Sequence, residues 1–392
     1  MNLSPAVLPS EFMRRPHVIL MGGQTLPNII ALREMGASAV RVVCSEQSQP
    51  RVESFLQACK SLGFSTDREP LCVSAWSLDD ALQTLRGAPP AFWEGALLNY
   101  TGGTKPMSTA AVLAAFDRGV SQFYVDGSAI WLTDSHAGIP MQTRLGVSEL
   151  LIANLIPAVN VFAPNARAFT HRLSGDPSRE AIEVARAIGK KFGAYRNKLG
   201  SSGAANLGTV PRKLWPELLE FLGLSDALLA NIPRCGEFLR GQWLEVWAYD
   251  FLTRHRESLG IDDVQWSVGI QRPATQTRAS EETDLDVAFT HDNQLAFLSC
   301  KAAAADELFD EVFEVAERRR RLGGRRGLSG LLHWHERNVD SDTPAQKNLT
   351  RAMQAARFAF PPVALFDGQC LRDEEAFLNR LNRDLLAGTS VD

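Results

Sequence analysis

The run His17-Val18-Ile19-Leu20-Met21 ends on Gly22-Gly23-Gln24, and the residues that follow, Leu26-Pro27-Asn28-Ile29-Ile30-Ala31-Leu32, have helical spacing. Strand, glycine turn and helix in that order open a βαβ unit. The order then repeats, with Ala39-Val40-Arg41-Val42-Val43-Cys44 reading as a second strand and Arg51 to Leu62 as an amphipathic helix. Alternation of this kind commits a chain to a largely parallel, doubly wound sheet, because neighbouring parallel strands need a crossover long enough to hold a helix. Gly95-Ala96-Leu97-Leu98-Asn99 is another short buried strand and Met107 to Phe116 the helix after it. Gln122-Phe123-Tyr124-Val125-Asp126 and Ala129-Ile130-Trp131-Leu132-Thr133 flank a turn at Gly127-Ser128, as the strands of a hairpin do.

At 392 residues the chain exceeds what one hydrophobic core accommodates, so it is expected to divide. The alternating pattern occupies 1–145. Helical pieces broken by Pro157, Pro164, Pro177, Pro211 and Pro216 suggest a helical connector over 146–230. From 231 to 392 a long helix (Glu237 to Arg254), a strand near Val264-Gln265-Trp266-Ser267-Val268, a hairpin and further helices read as a second α/β core. With 45% apolar and 22% charged residues the composition is that of a globular chain. The net charge of -4 gives no overall attraction to nucleic acid, so such contact has to come from local basic patches. Cys44, Cys59, Cys72, Cys235, Cys300 and Cys370 form no Cys-x-x-Cys pair, which argues against a disulfide framework or structural zinc and suits a reducing cytoplasm. No run of about 18 apolar residues is present, so no membrane association by a spanning helix is expected.

The loop Asn99-Tyr100-Thr101-Gly102-Gly103-Thr104-Lys105 leaves a strand and enters a helix. Two glycines let backbone amides approach a ligand, and the helix adds its positive dipole end, so the loop suits a phosphate. Thr101, Thr104 and Ser108 offer hydroxyls, Lys105 offers charge, and Pro106 stiffens the turn. The loop lacks P-loop spacing, and Gly22-Gly23-Gln24 lacks the GxGxxG dinucleotide fingerprint, so hydride chemistry is poorly supported. In a doubly wound sheet ligands sit beyond the carboxyl ends of the strands, where both glycine loops lie. The expected nucleotide contacts are Gly22, Gly23, Gln24, Thr25, Asn28, Asn99, Thr101, Gly102, Gly103, Thr104 and Lys105. A plain βα turn is the competing reading.

In the second half, Asp284-Leu285-Asp286-Val287-Ala288-Phe289-Thr290 and Gln294-Leu295-Ala296-Phe297-Leu298-Ser299-Cys300-Lys301 bracket a polar turn at His291-Asp292-Asn293. Period-two alternation puts Asp284 and Asp286 on one face, and Ser299 and Lys301 on one face, so a suitable register gathers all four. Phosphodiester hydrolysis needs carboxylates that hold a hard divalent cation, Mg²⁺ or Mn²⁺, and a positive charge near the reacting phosphate. Asp286 and Asp284 suit the first need and Lys301 the second. A solvated hairpin with ordinary charges is the alternative. Arg318-Arg319-Arg320-Arg321, followed by Arg325-Arg326, forms a candidate phosphate-contact surface. His333 and His335 lack a third metal partner at a recognisable spacing and read as structural.

The two glycine loops resemble those of CRISPR-associated Rossmann-fold (CARF) sensors, and the hairpin resembles the PD-(D/E)xK nuclease motif, whose second strand ordinarily carries Glu-x-Lys. Together they resemble sensor nucleases in which a CARF domain precedes a restriction-endonuclease-like domain. The resemblance implies an α/β chain with an N-terminal Rossmann-like CARF domain plus a C-terminal restriction-endonuclease-like α/β domain. It also implies a homodimer that binds a cyclic oligoadenylate, usually cyclic tetraadenylate, and a metal-dependent nuclease that cuts DNA or RNA in type III CRISPR antiviral defence. Ser299 stands where that motif has glutamate. Serine is a weaker metal ligand, so either affinity is lost or another acid compensates, from Asp284, Glu282 or Glu245. Glu245, in Gly241-Gln242-Trp243-Leu244-Glu245-Val246-Trp247, is placed where the family's nuclease domain often contributes a helical acid. The alternative is a catalytically inactive, ligand-responsive nucleic-acid-binding regulator.

Overall fold

Strands β1 (His17–Leu20) and β2 (Val40–Cys44) are buried at every position, as strands covered on both faces must be. The computed structural model describes residues 8–126, 129–133, 137–154, 170–201, 209–272, 281–302, 305, 307–322, 327–335, 343–359 and 362–387. Gly127-Ser128, Arg325-Arg326, Glu336 and the side chain of Glu282 lie outside them. The chain divides into two compact units, Met1–Leu145 with Glu149–Thr170 and Gln271–Glu281, and Gly146–Ser148 with His171–Ile270 and Glu282–Asp392.

In the first unit, α1 (Leu26–Glu34) and α2 (Val52–Ser61) cross between parallel strands. β3 (Leu71–Cys72), α3 (Leu78–Gly87) and α4 (Pro90–Trp93) follow. These three were not legible in the sequence: β3 is two residues long with one exposed, too short to show alternation. β4 (Leu97–Asn99), α5 (Lys105–Phe116), β5 (Gln122–Asp126), β6 (Ala129–Leu132) and β7 (Ala137–Pro140) complete a sheet of order β3-β2-β1-β4-β5-β6-β7. It is parallel through β5, while β6 and β7 are antiparallel additions. Helix α5 starts two residues before the expected Met107, because the Thr104 hydroxyl accepts the Met107 N–H at 3.4 Å and Pro106 fits the first turn. Its Ala110, Ala111, Ala114 and Ala115 are fully buried and pack with Val18, Leu20 and Leu98, small side chains that let helix and sheet approach closely.

After α6 (Val147–Asn154), the second unit builds a sheet from β8 (Thr170–Arg172), β9 (Ile261–Arg272), β10 (Glu281–His291), β11 (Gln294–Lys301), β12 (Leu328–His333) and β13 (Ala364–Phe366). Its order is β13-β12-β11-β10-β9-β8. Between β8 and β9 run α7 (Arg179–Lys190), α8 (Phe192–Ser201), α9 (Trp215–Leu222), α10 (Asp226–Ala230), α11 (Cys235–Glu237), a π turn (Phe238–Gln242) and α12 (Trp243–Arg254). Val184, Ile188, Leu218 and Leu222 from these helices share one core with Leu298 and Cys300 of β11. α13 (Leu308–Leu322) and α14 (Pro344–Phe358) pack together, and α13 also packs on β11 and β12. α15 (Glu374–Arg380) adds Phe377, which stacks on Trp247 of α12. Helix α12 is mostly apolar and carries two acids, Glu245 and buried Asp250, the latter held by Arg186 of α7 at 2.7 Å and by Arg254 at 3.0 Å. A carboxylate so paired ties α7 to α12 across their interface. No helix among the described residues is long and apolar enough to cross a membrane.

His17 in β1 is fully buried, packs edge-on against Phe123 at 5.3 Å, and neither ring nitrogen has a hydrogen-bond partner. Burial, helped by the Arg15 charge, lowers its pKa from 6.5 to about 3. The unfolded chain therefore takes up a proton below pH 6.5 that the folded chain refuses until near pH 3. Stability falls across that window and is whole above it, by about 2 kcal/mol for this group at pH 5. Urea unfolding midpoints at pH 7 and pH 5 check this: the acid loss is expected to shrink by that amount in His17→Leu, and an undiminished loss would contradict it.

Candidate functional site

In the first unit the two glycine loops touch. A Cβ on Gly22 would sit 3.0 Å from the Gly103 backbone nitrogen, and one on Gly102 would sit 2.1 Å from the Leu20 carbonyl oxygen, so both positions need glycine for close backbone approach. Beneath them Asn28 donates to the Leu20 carbonyl at 3.4 Å, and Asn99 donates to the Asn28 side-chain oxygen at 3.1 Å. Asn99 in turn accepts from the backbone N–H and the hydroxyl of Thr101 at 3.1 and 2.5 Å. These two buried asparagines therefore fix the loops from below. The hydroxyls expected to face a ligand are spent within the fold: Thr25 donates to Ala153, Thr104 to Ala75 and Ser108 to Thr104. Lys105, at the start of α5, is exposed, and a helix start of this kind suits an anion. Arg51, which the sequence offered only as a helix start, donates to the Gly22 and Gly23 carbonyls at 2.8 and 3.3 Å and pins the first loop.

In the second unit β10 and β11 pair antiparallel from His291↔Gln294 to Val287↔Leu298, and Asp286 lies next to Ser299. The turn is tight because Asp292 and Asn293 both take positive φ, 47° and 56°, as a two-residue type I′ turn requires. Asp286 accepts the Cys300 N–H at 2.6 Å and the Ser299 hydroxyl at 3.2 Å. Ser299, 1% exposed, also lies 3.0 Å from a Glu311 oxygen, and the other Glu311 oxygen is 3.2 Å from the Lys301 ammonium. Glu311 is buried in the first turn of α13 and was not among the sequence candidates. Asp286, Ser299 and Lys301 thus meet as the alternation suggested, with Glu311 as the fourth member. Asp284 is exposed one pleat away, its carboxylate beside Gly269 of β9, where a Cβ would lie 3.3 Å from it.

Charge is crowded here. Removal from water raises the Asp286 pKa, against the pull of the Cys300 N–H and Lys301. Glu245, from α12, is raised to about 9 by burial and by the Asp286 charge. Burial works to lower Lys301, but Glu311 and Asp286 outweigh it and the ammonium is held above its usual range. Among the described residues no three His, Cys, Asp or Glu side chains are gathered closely enough to hold a metal by themselves. Mg²⁺ commonly takes only one or two protein carboxylates and completes its shell with water and substrate phosphate, and the carboxylates around Ser299 meet that smaller demand.

The basic run of α13 is largely matched by its own helix. Arg318 pairs with Glu314 at 3.0 Å and lies 3.5 Å from Glu311, Arg320 and Arg321 pair with Glu317 at 2.8 and 2.7 Å, and Arg319 donates to the Pro362 carbonyl. These contacts give the four arginines local partners, with Arg320 still 66% exposed in its side chain. His333 is fully buried with neither nitrogen partnered, which fits its reading as structural.

Residues 234–349 match the family model of the Card1-like endonuclease domain. Over the whole chain the structure is similar to Can2 from Sulfobacillus thermosulfidooxidans, solved with cyclic tetra-adenylate, with TM-score 0.66 and 17% identity over 96% of this chain and 98% of that one. It is also similar to VC1899 from Vibrio cholerae, with TM-score 0.69 and 14% identity over 94% of this chain and 98% of that one. A type III CRISPR defence DNA nuclease activated by cyclic oligoadenylate matches at TM-score 0.54 and 19% identity, over 84% of this chain and 46% of that chain. No curated protein matches the sequence. The fold is that of a Rossmann-like CARF domain followed by a restriction-endonuclease-like domain, as the sequence resemblance implied.

The glycine contacts predict a sharp contrast. Gly102→Ala forces a methyl into the Leu20 carbonyl and is expected to destabilise the chain by about 1–3 kcal/mol. Gly23→Ala meets nothing within 4 Å and is expected to leave stability near that of the parent. Urea unfolding of the two variants decides; equal midpoints would mean that the loops do not touch as described.

Proposed function

We propose that this chain is a cyclic-oligoadenylate-activated, divalent-metal-dependent endonuclease of type III CRISPR defence, acting in the cytoplasm on DNA, RNA or both. The observation that carries the reading is the meeting of Asp286, Ser299 and Lys301 inside a segment that matches a Card1-like endonuclease domain. Cyclic tetraadenylate is the activator we favour, held by the glycine loops of the first unit in two copies of the chain. The likeness to a Can2 structure that contains this nucleotide supports that choice.

The clustered side chains of the second unit each have a task in this reading. Asp286 is oriented by the Cys300 N–H and, with Asp284 and Glu245 as further candidates, holds the cation. A bound Mg²⁺ or Mn²⁺ supplies an activated water and offsets charge on the phosphate. Lys301, kept protonated by the carboxylates beside it, stabilises the negative charge that builds on the phosphate oxygens. Glu245 holds a proton near neutral pH, so its share in binding the cation requires that proton to leave. Activation requires only that the nucleotide bind the active arrangement better than the resting one.

Full-length protein incubated with plasmid, single-stranded DNA and RNA, with and without cyclic tetraadenylate and Mn²⁺, tests the proposal. Cleavage is expected only when both are present. Lys301→Ala is expected to slow it at least about a hundredfold while nucleotide binding persists. Lys105→Ala is expected to raise the nucleotide concentration for half-activation about tenfold. Inactivity on every substrate would favour the regulator that binds nucleic acid without cutting it.

A further inference from the structure

We propose that Glu311 is the second acid of the metal site, relocated from the strand to helix α13. This assignment rests on the metal-dependent reading above. The Glu-x-Lys pattern places its acid two residues before the lysine, on the same face of the same strand. That position is Ser299, and its hydroxyl has no negative charge to offer.

The structure supplies the missing charge from across the sheet face. Glu311 reaches down from α13, and its carboxylate lies 3.0 Å from the Ser299 hydroxyl and 3.2 Å from the Lys301 ammonium. A glutamate at 299 would extend two carbons beyond the atom that now carries that hydroxyl, into the space that the Glu311 carboxylate fills. Serine at 299 is therefore the complement of Glu311: small enough to admit it, and polar enough to fix it by a hydrogen bond. The same hydroxyl touches Asp286, so the two carboxylates converge on one atom.

A role as counter-ion alone does not account for this arrangement. Lys301 is 36% exposed in its side chain and needs no buried partner, whereas Glu311 is buried at 10% side-chain exposure, at the cost of desolvation. Arg318, 3.5 Å away, adds a second positive charge beside the Glu311 carboxylate. A buried carboxylate beside a second one offers the hard oxygen ligands that Mg²⁺ or Mn²⁺ takes.

The experiment is Mn²⁺ binding to the full-length chain without nucleic acid, read from the electron paramagnetic resonance signal of free Mn²⁺, alongside cleavage assays. Glu311→Gln is expected to weaken Mn²⁺ binding at least about tenfold. The exchange Ser299→Glu with Glu311→Ser returns the acid to the strand and is expected to recover most of both binding and cleavage. The exchange also covers the case in which Glu311→Gln alone fails to fold, which the unfolding midpoints of the metal-free variants reveal. Parent-like Mn²⁺ binding by folded Glu311→Gln, or a parent chain that binds no Mn²⁺, overturns the assignment. Mn²⁺ binding that depends on Glu311 in a chain that cleaves nothing upholds it and counts against the nuclease reading instead.

Discussion

A single serine hydroxyl organises the second unit's site. Ser299 is almost wholly enclosed and stands between Asp286 on the neighbouring strand and Glu311 on the helix above. Its position depends on register, and register depends on the Asp292-Asn293 turn, since a slip of one residue would turn Ser299 and Lys301 to the other face. On that other face lie Leu298 and Cys300, packed with the tryptophans of α12. The apolar core thus enforces the polar arrangement: the strand cannot slide without burying a lysine among indole rings.

The first unit solves a similar problem with asparagines. Asn28 and Asn99 are fully enclosed, and an enclosed amide without partners is costly, so each is bonded to the other and to nearby backbone. Their pairing couples the ends of β1 and β4, where the glycine loops begin. Arg51 secures the first loop by donating to its Gly22 and Gly23 carbonyls.

The parts legible in the sequence were those with local signatures. Doubled glycines after a buried strand, and aspartates and a lysine spaced by two, report their geometry through φ freedom and strand periodicity. Glu311 and Arg51 carry no such mark. Each acts through a contact fixed by how its helix docks, and a glutamate in the first turn of an amphipathic helix is what dipole compensation alone would place there. The arginine run shows a different limit. Glu314 and Glu317 stand three and four residues before their partners, a spacing that makes these ion pairs visible in the sequence.

The Ser299 hydroxyl has one hydrogen and faces two carboxylates. It donates to only one at a time, and each carboxylate has a further partner: the Cys300 N–H at Asp286, and the Lys301 and Arg318 cations at Glu311. The end of this central strand therefore carries its own counter-charges, so that changing either cation alters how the one shared hydroxyl proton divides between two acids.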